Sequence, residues 1–338
     1  MKKIAMQQLA DSLNLSRVTV WKALNNRPGV SPETARRVQD AVKSLQRERI
    51  GIPGQVESSA ESPRVRNVTL LASNADTISF WIQIVDQIAS ELNRRRIQLH
   101  YLSADNMRLR PSELSSMIQP GQTDGVIIVN IYEEELISAL QSIPLPKVFF
   151  DTVPGHTAQD LQGDLLLLEG RRTVGAVTER LIQKGCRRIG FIGDVQYAYT
   201  NRLRWEGFLE GLELSGLPAE PDICLARSIE KDAYRDSIGA FLDGIPAMPD
   251  AFVCVNDFVA FVTLNLLEER GFRVPDDLLL SGYDDSREFL LDRRGVTTVH
   301  VQNALLGRRL VNQLLYRIET PQADFEEIQI LPKILYRE

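Results

Sequence analysis

No uncharged run in this chain approaches the roughly 18 to 20 residues needed to span a bilayer. The opening Met1-Lys-Lys-Ile-Ala-Met-Gln-Gln-Leu-Ala-Asp11 lacks the continuous apolar stretch of a signal peptide. The expectation is a cytoplasmic protein with no membrane partner. Histidine and cysteine are scarce, three of each: His100, His156 and His300 are scattered, and Cys186, Cys224 and Cys254 lie far apart within or beside apolar strand-like runs. An odd number of separated cysteines in such settings reads as reduced core thiols rather than disulfides. With no CxxC, no HExxH and no histidine pair at ligand spacing, neither a metal site nor a cofactor is expected. No Gly-x-Gly-x-x-Gly follows a strand and no P-loop lysine motif occurs, while Gly190-Phe-Ile-Gly193 is too short to cradle a phosphate by itself. An enzyme reading therefore has little in the sequence to rest on.

What is present begins in the first thirty residues. Met6 to Leu24 reads as two short helices, with Leu9, Ala10 and Leu13 facing inward from the first and Val20 and Leu24 from the second. Between them Asn14 tolerates a left-handed turn position and Ser16 is placed to cap the second helix. This is a helix-turn-helix pattern, and its exposed face carries Arg17, Val18, Trp21 and Lys22, a chemistry suited to the major groove of duplex DNA. A charged face on a short helix is often merely solvated, but the charge distribution argues otherwise. Residues 1–50 hold ten lysines and arginines against four acidic residues, a net of +6, in a chain whose total is −6. The remainder thus carries −12, the pattern of a small cationic DNA-binding module on an acidic body.

A third helix completes the module, with Ser31 as cap, Pro32 at the first helical position and Val38, Ala41, Val42 and Leu45 on one face. The headpiece is expected to span 1–47. Residues 48–66 turn to Gly51, Pro53, Gly54, Ser58, Ser59, Ser62 and Pro63, the composition of a linker. Beyond it, strands such as Val68-Thr-Leu-Leu-Ala72, Gly125-Val-Ile-Ile-Val129, Lys147-Val-Phe-Phe-Asp151 and Ala251-Phe-Val-Cys-Val255 alternate with helical stretches, which predicts α/β architecture in two similar lobes built on parallel sheets. The core is expected over 67–338, the N-lobe over about 67–162 and 300–320, the C-lobe over about 163–299 and 321–338. Ligands of open parallel sheets sit outside the carboxyl ends of strands. Asp151, Asn256 with Asp257, and Asp284 with Asp285 occupy such ends. Carboxylates and amides there can pair with sugar hydroxyls; for Asp257 and Asp285, capping of the following helix is the favoured reading.

Leu15-Ser-Arg-Val-Thr-Val-Trp-Lys-Ala-Leu-Asn25, Gly29-Val-Ser-Pro-Glu-Thr34, Arg187-Arg-Ile-Gly-Phe-Ile-Gly193, Arg202-Leu-Arg-Trp-Glu-Gly-Phe208, Val255-Asn-Asp257 and Val274-Pro-Asp-Asp-Leu-Leu-Leu-Ser-Gly-Tyr-Asp-Asp285 together resemble the LacI/GalR family of bacterial transcription regulators over nearly the whole chain. The resemblance implies a helix-turn-helix headpiece, a periplasmic-binding-protein-like core of two lobes joined by three crossovers, a homodimer, and a small-molecule effector between the lobes. It carries base reading to Arg17, Val18 and Lys22, and backbone or flanking contacts to Ser16, Thr19, Trp21 and Asn25. Effector contacts fall on Asp151, Arg204, Asn256 and Asp284, with Phe80 and Trp81 as an aromatic pair and Tyr234 as a looser candidate for a stacking platform.

Departures from the family pattern are equally specific. Where relatives carry Tyr-x-Pro-Asn and a hinge helix ending near a leucine wedge, this chain has Arg47-Glu-Arg-Ile-Gly-Ile-Pro-Gly-Gln-Val56; Pro53 and Gly54 oppose a regular helix and Val56 is a shorter wedge. The usual His-Leu and Gly-His pairs are replaced by Arg180-Leu181 and Gly185-Cys186, and Asp164-Leu-Leu-Leu-Leu168 lacks the polar residues usual before the second lobe's first helix. The expected function is a DNA-binding transcriptional regulator of repressor type, its affinity for double-stranded operator DNA set by a sugar or sugar derivative. The alternative is a sugar sensor whose DNA binding is weak or vestigial.

Overall fold

The computed structural model describes residues 15–24, 30–31, 33–34, 36–38, 65–73, 79–104, 110–230, 233–290 and 295–337. The chain forms two units, Met1–Glu61 and Ser62–Glu338. In the first, helix α1 (Arg17–Leu24) starts where the Ser16 hydroxyl accepts a hydrogen bond from the Thr19 amide at 3.1 Å. This supplies one of the acceptors that a helix start lacks. Val20 and Ala23 are buried. Ser31 repeats the device, its hydroxyl accepting from the Thr34 amide at 3.2 Å ahead of helical residues 33–34 and 36–38, and Val38 is buried as the pattern requires. The helix expected before Leu13, the Leu24 side chain, and Pro53, Gly54 and Val56 lie outside the described residues.

The second unit contains two six-stranded sheets. The first runs through β1 (Asn67–Ala72), β2 (Gln98–Ser103), β3 (Gly125–Val129), β4 (Lys147–Phe150), β5 (Asp164–Leu168) and, far along the chain, β11 (Glu327–Ile330), in the order β11-β5-β4-β3-β1-β2. The second holds β6 (Ile189–Ile192), β7 (Cys224–Leu225), β8 (Ala251–Cys254), β9 (Leu279–Ser281), β10 (Val296–His300) and β12 (Lys333–Leu335), in the order β12-β10-β9-β8-β6-β7. All pairings are parallel except β10 with β12. Strands such as β3 are apolar without alternation because helices cover both faces. The helices are α2 (Ser79–Arg94), α3 (Pro111–Met117), α4 (Glu134–Gln141), α5 (Ala158–Leu161), α6 (Arg171–Gln183), α7 (Tyr199–Leu214), α8 (Tyr234–Asp243), α9 (Asp257–Glu269), α10 (Arg287–Leu290) and α11 (Asn303–Glu319). Phe80, Ile84, Ile88 and Leu92 form the buried stripe of α2, against Leu306, Leu310 and Leu314 of α11.

The two lobes are alike and are joined by three crossovers, at 168–171, 300–303 and 330–333. The lobe boundaries differ from those expected. Asp164–Leu168 belongs to the first sheet, not the second lobe, because Val148 pairs with Asp164 and Leu165 with Glu327. Residues 327–330 likewise return to the first sheet, so only the end of the 321–338 segment is C-lobe. The anchor is polar and invisible to a hydrophobic pattern: the wholly buried Asp164 accepts bonds from Arg317 and from the Gln313 amide at 2.7 Å, both on α11. The thiols Cys186 and Cys254 are buried and Cys224 half-buried, all free, and burial pushes Cys254 up to about 12.

Candidate functional site

In each sheet the strand order reverses about one point, β1/β3 in the first and β6/β8 in the second. Connections leave in opposite directions there and open a crevice beyond the strand ends. Both crevices face a single cavity of about 390 Å³ between the lobes. Phe80, Trp81, Asp151, Arg204, Tyr234, Asn256 and Asp284, all seven candidates for effector contact, line it.

The N-lobe contributes an aromatic wall and a carboxylate. Phe80 and Trp81 open α2 with their rings edge to face at 5.0 Å, and Trp81 meets Phe150 at 5.7 Å. Asp151 follows β4 with φ of +64°, and Asn130 follows β3 with φ of +57°, left-handed positions that Asn and Asp tolerate better than most residues. Asp151 is buried and its carboxylate is already well supplied: Oδ1 accepts from the Thr152 amide at 2.9 Å and the Thr200 amide at 3.2 Å, and Oδ2 from the Tyr132 hydroxyl at 3.1 Å and the Thr200 hydroxyl. Thr200 belongs to the start of α7 in the other lobe, so Asp151 fastens the lobes together as well as facing the cavity. Burial raises its pKa against these bonds and the nearby Arg204.

The C-lobe contributes the Arg204 and Asp284 pair. Arg204, one turn into α7, is buried; its Nη1 donates to the Val255 carbonyl at 2.8 Å, its Nη2 stands 3.8 Å from Asp284 Oδ1, and its guanidinium lies 3.6 Å over the Tyr283 ring. The buried Nε has no hydrogen-bond partner. Asp284 has φ of +109°, and burial, opposed by Arg204, pushes it up to about 6. Asn256 is the cap of α9, its Oδ1 accepting from the Val259 amide at 2.9 Å. Tyr234 packs edge-on to Phe258 at 5.5 Å, and burial with the neighbouring Asp194 charge pushes its hydroxyl up to about 12.

Two expectations fail here. Among the described residues, Asp257 and Asp285 spend their side chains on partners other than the start of the following helix. Asp257 is wholly buried, accepting from the Thr298 hydroxyl and the Ser286 amide, each at 2.7 Å. Asp285 binds Arg337 and His300. The capping position belongs to the residue before, Asn256, because the extended backbone ends there. Sequence reasoning also missed Asn130, Tyr132, Tyr197, Thr200, Asn201, Phe258, Ser286 and Phe289, which share the lining with the apolar Phe150, Leu168, Ala198 and Ile229. Tyr132 and Tyr197, with rings 4.5 Å apart, come from opposite lobes and carry no joint signal in the sequence.

Of the candidates for DNA contact, Ser16 is exposed but engaged in capping, and Thr19 and Lys22 are half-buried on α1. Arg17, Val18 and Trp21 lie on the same helix with side chains outside the described residues, as is Asn25 altogether.

A profile of the periplasmic binding protein-like domain matches residues 178–338. A protein of Mannheimia succiniciproducens named HTH-type transcriptional repressor PurR is 25% identical over 334 residues, 98% of this chain and 97% of its own. The complex of the transcriptional regulator CelR with cellobiose has a TM-score of 0.71 at 23% identity, covering 98% of both chains. The lac repressor dimer bound to operator and the anti-inducer ONPF has a TM-score of 0.65 at 20% identity, covering 97% of this chain and 96% of that one.

Proposed function

Because the chain belongs to the LacI/GalR family of bacterial transcription regulators, we propose that it is a sequence-specific DNA-binding repressor whose operator affinity is set by a carbohydrate in the interlobe cavity. The observation that carries this reading is the convergence of an aromatic wall from one lobe and the Arg204 and Asp284 pair from the other on one cavity of about 390 Å³. That volume lies in the range of roughly 300–1,000 Å³ usual for small-ligand sites. Aromatic faces take the apolar faces of a sugar ring, and the arginine and carboxylate take its hydroxyls. The cellobiose held by CelR is consistent in kind. The protein works as a homodimer on double-stranded DNA, headpiece 1–47 reading bases through Arg17, Val18 and Lys22, with Ser16, Thr19, Trp21 and Asn25 at backbone or flanking positions.

The mechanism is a shift between two lobe arrangements. Asp151 and Thr200 fasten the lobes on one side of the cavity, and a ligand touching both lobes favours whichever closure makes most contacts. The N-lobes of the dimer then reset the spacing of the headpieces. Sequencing the genomic fragments that the protein retains, then titrating the commonest one with sugars in gel retardation, tests the proposal. The expected result is one near-palindromic sequence whose affinity shifts at least about tenfold, roughly 1.4 kcal/mol, with one sugar, and no such shift in Arg204→Ala. Retention of fragments without a shared sequence would remove the regulator reading.

A further inference from the structure

We infer that the effector is an uncharged polyhydroxylated molecule and that phosphorylated and carboxylated sugars are rejected; this rests on the cavity being the effector site. A phosphate held by a protein cleft needs cations, free helix N-termini, or both. The lining side chains, among the described residues, include one cation, Arg204, against two carboxylates, Asp151 and Asp284. That cation is largely committed: Nη1 to the Val255 carbonyl, Nη2 toward Asp284, and its face to Tyr283. An anion bonded to its remaining edge would stand beside the Asp284 carboxylate.

Among the described residues, four helices of eight residues or more begin at the cavity, and at three of these starts the chain has placed its own acceptor. The Ser79 amide at the head of α2 donates to Glu288 at 3.2 Å, across from the other lobe. The Thr200 amide of α7 donates to Asp151. The cap of α9 is filled by Asn256, and the buried Asp257 follows it. Helix α8 carries Asp236 in its first turn, and its Tyr234 feels the Asp194 charge. Carboxylates thus occupy or neighbour the places where a phosphate would gain most from the helix ends. What remains open is of mixed polarity. Among the lining residues, the Arg204 Nε donor and the Ser286 hydroxyl are buried without partners, and Asp284 offers acceptor oxygens to the same cavity. A hydroxyl both donates and accepts and satisfies such a set; an acceptor-only anion leaves Asp284 unpaired and facing like charge.

The test is calorimetry on the full-length protein with matched probes: glucose, ribose and cellobiose against glucose 6-phosphate, ribose 5-phosphate and glucuronate. The expected result is binding of a neutral sugar, weakened by Trp81→Ala, with its anionic counterpart weaker by at least about a hundredfold. Asp284→Asn should recover part of the anion's affinity. An anionic probe binding as tightly as its neutral partner overturns the inference, as does an Asp284→Asn variant that excludes the anion as strongly as before. If a neutral sugar binds equally well to wild type, Trp81→Ala and Arg204→Ala, the effector site itself is elsewhere and the underlying reading fails instead. Absence of binding by all six probes sinks the carbohydrate class and this inference with it.

Discussion

Asp257 and Asp284 stand at the ends of adjacent strands, yet their environments give them different work. Asp284 borders the cavity beside Arg204, whereas Asp257 is sealed beneath it among Thr298, Ser286 and the backbone of Gly282, where an added Cβ would meet Asp257 Oδ1 at 2.2 Å. Burial first, and then the Asp284 charge, push Asp257 from 3.8 up to about 8. The folded state therefore keeps a proton that the unfolded chain releases between about pH 4 and pH 8, and stability falls as pH rises through that window. Lys147, buried on β4 and lowered by burial to about 8, acts above it: its cost is relieved only as pH rises from about 8 toward its unfolded value. Between pH 5 and pH 8 the Asp257 effect is thus seen with little opposition. Asp257→Asn removes the charge and keeps the shape, so its Tm should gain on the wild type by at least about 2 °C over that interval. Thermal melts at the two pH values decide it; a difference between the proteins that is the same at both would show that Asp257 does not titrate there. The strand-end rule found both residues in the sequence, but burial raises both, and what separates them, Arg204 beside Asp284 and the Asp284 charge beside Asp257, depends on neighbours distant in the chain.

At the scale of elements, the position of Arg204 depends on how closely α7 approaches α6. Gly207 faces the start of α6 so tightly that a Cβ would lie 1.9 Å from the Arg171 carbonyl, and one on Gly211 would lie 2.8 Å from Thr178 Cβ. Small residues at this spacing let two helix backbones pack in near contact. Gly207 is also three residues from Arg204, on the same side of the helix. Gly207→Ala cannot be absorbed by a side-chain shift, because the atom it meets is backbone, so α7 must move. The expected cost is about 1–3 kcal/mol in stability, together with loss of at least about tenfold in effector affinity through displaced Arg204. Denaturant unfolding and calorimetry read the two effects separately; an unchanged effector affinity in a destabilised variant would mean that Arg204 is held by Val255 and Tyr283 alone. Both glycines were visible in the sequence as part of a helical stretch, where glycine ordinarily weakens a helix. Their reason lies in the neighbouring helix.

For the whole molecule, the proposed function requires the coupling of cavity to DNA to pass through residues 48–66. Wedging into a minor groove unstacks a base step at a cost of a few kcal/mol, recovered when a rigid helix pair delivers two apolar side chains to the dyad. Ile52-Pro-Gly-Gln-Val56 makes such a helix costly and its wedge small. The operator should therefore be bent little, with affinity resting on the two headpieces and losing about 1–3 kcal/mol and the preference at one base pair on Arg17→Ala. Fluorescence transfer between operator ends measures the bend. A large kink abolished by Val56→Ala would show that the hinge inserts after all, and an Arg17→Ala variant weakened equally on operator and random DNA would remove base reading by that arginine.

The alternation of apolar strands and helices, the cationic headpiece on an acidic body, and the polar residues at strand ends were all determined by the sequence, because each rests on local periodicity, charge or spacing. The strand-end cue brought out Asp151, Asn256 and Asp284, whereas Phe80, Trp81, Arg204 and Tyr234 were reached through the family resemblance. Tertiary structure alone decided the rest. Strand β11 returns to the first sheet because a buried aspartate binds an arginine 153 positions away. Tyr132 and Thr200 meet on Asp151 because two lobes face each other. Asp257 is a buried acid rather than a cap because the backbone extends one residue less than its spacing suggests. Each of these outcomes is a balance of desolvation against partners distant in the chain, and no local pattern records such partners.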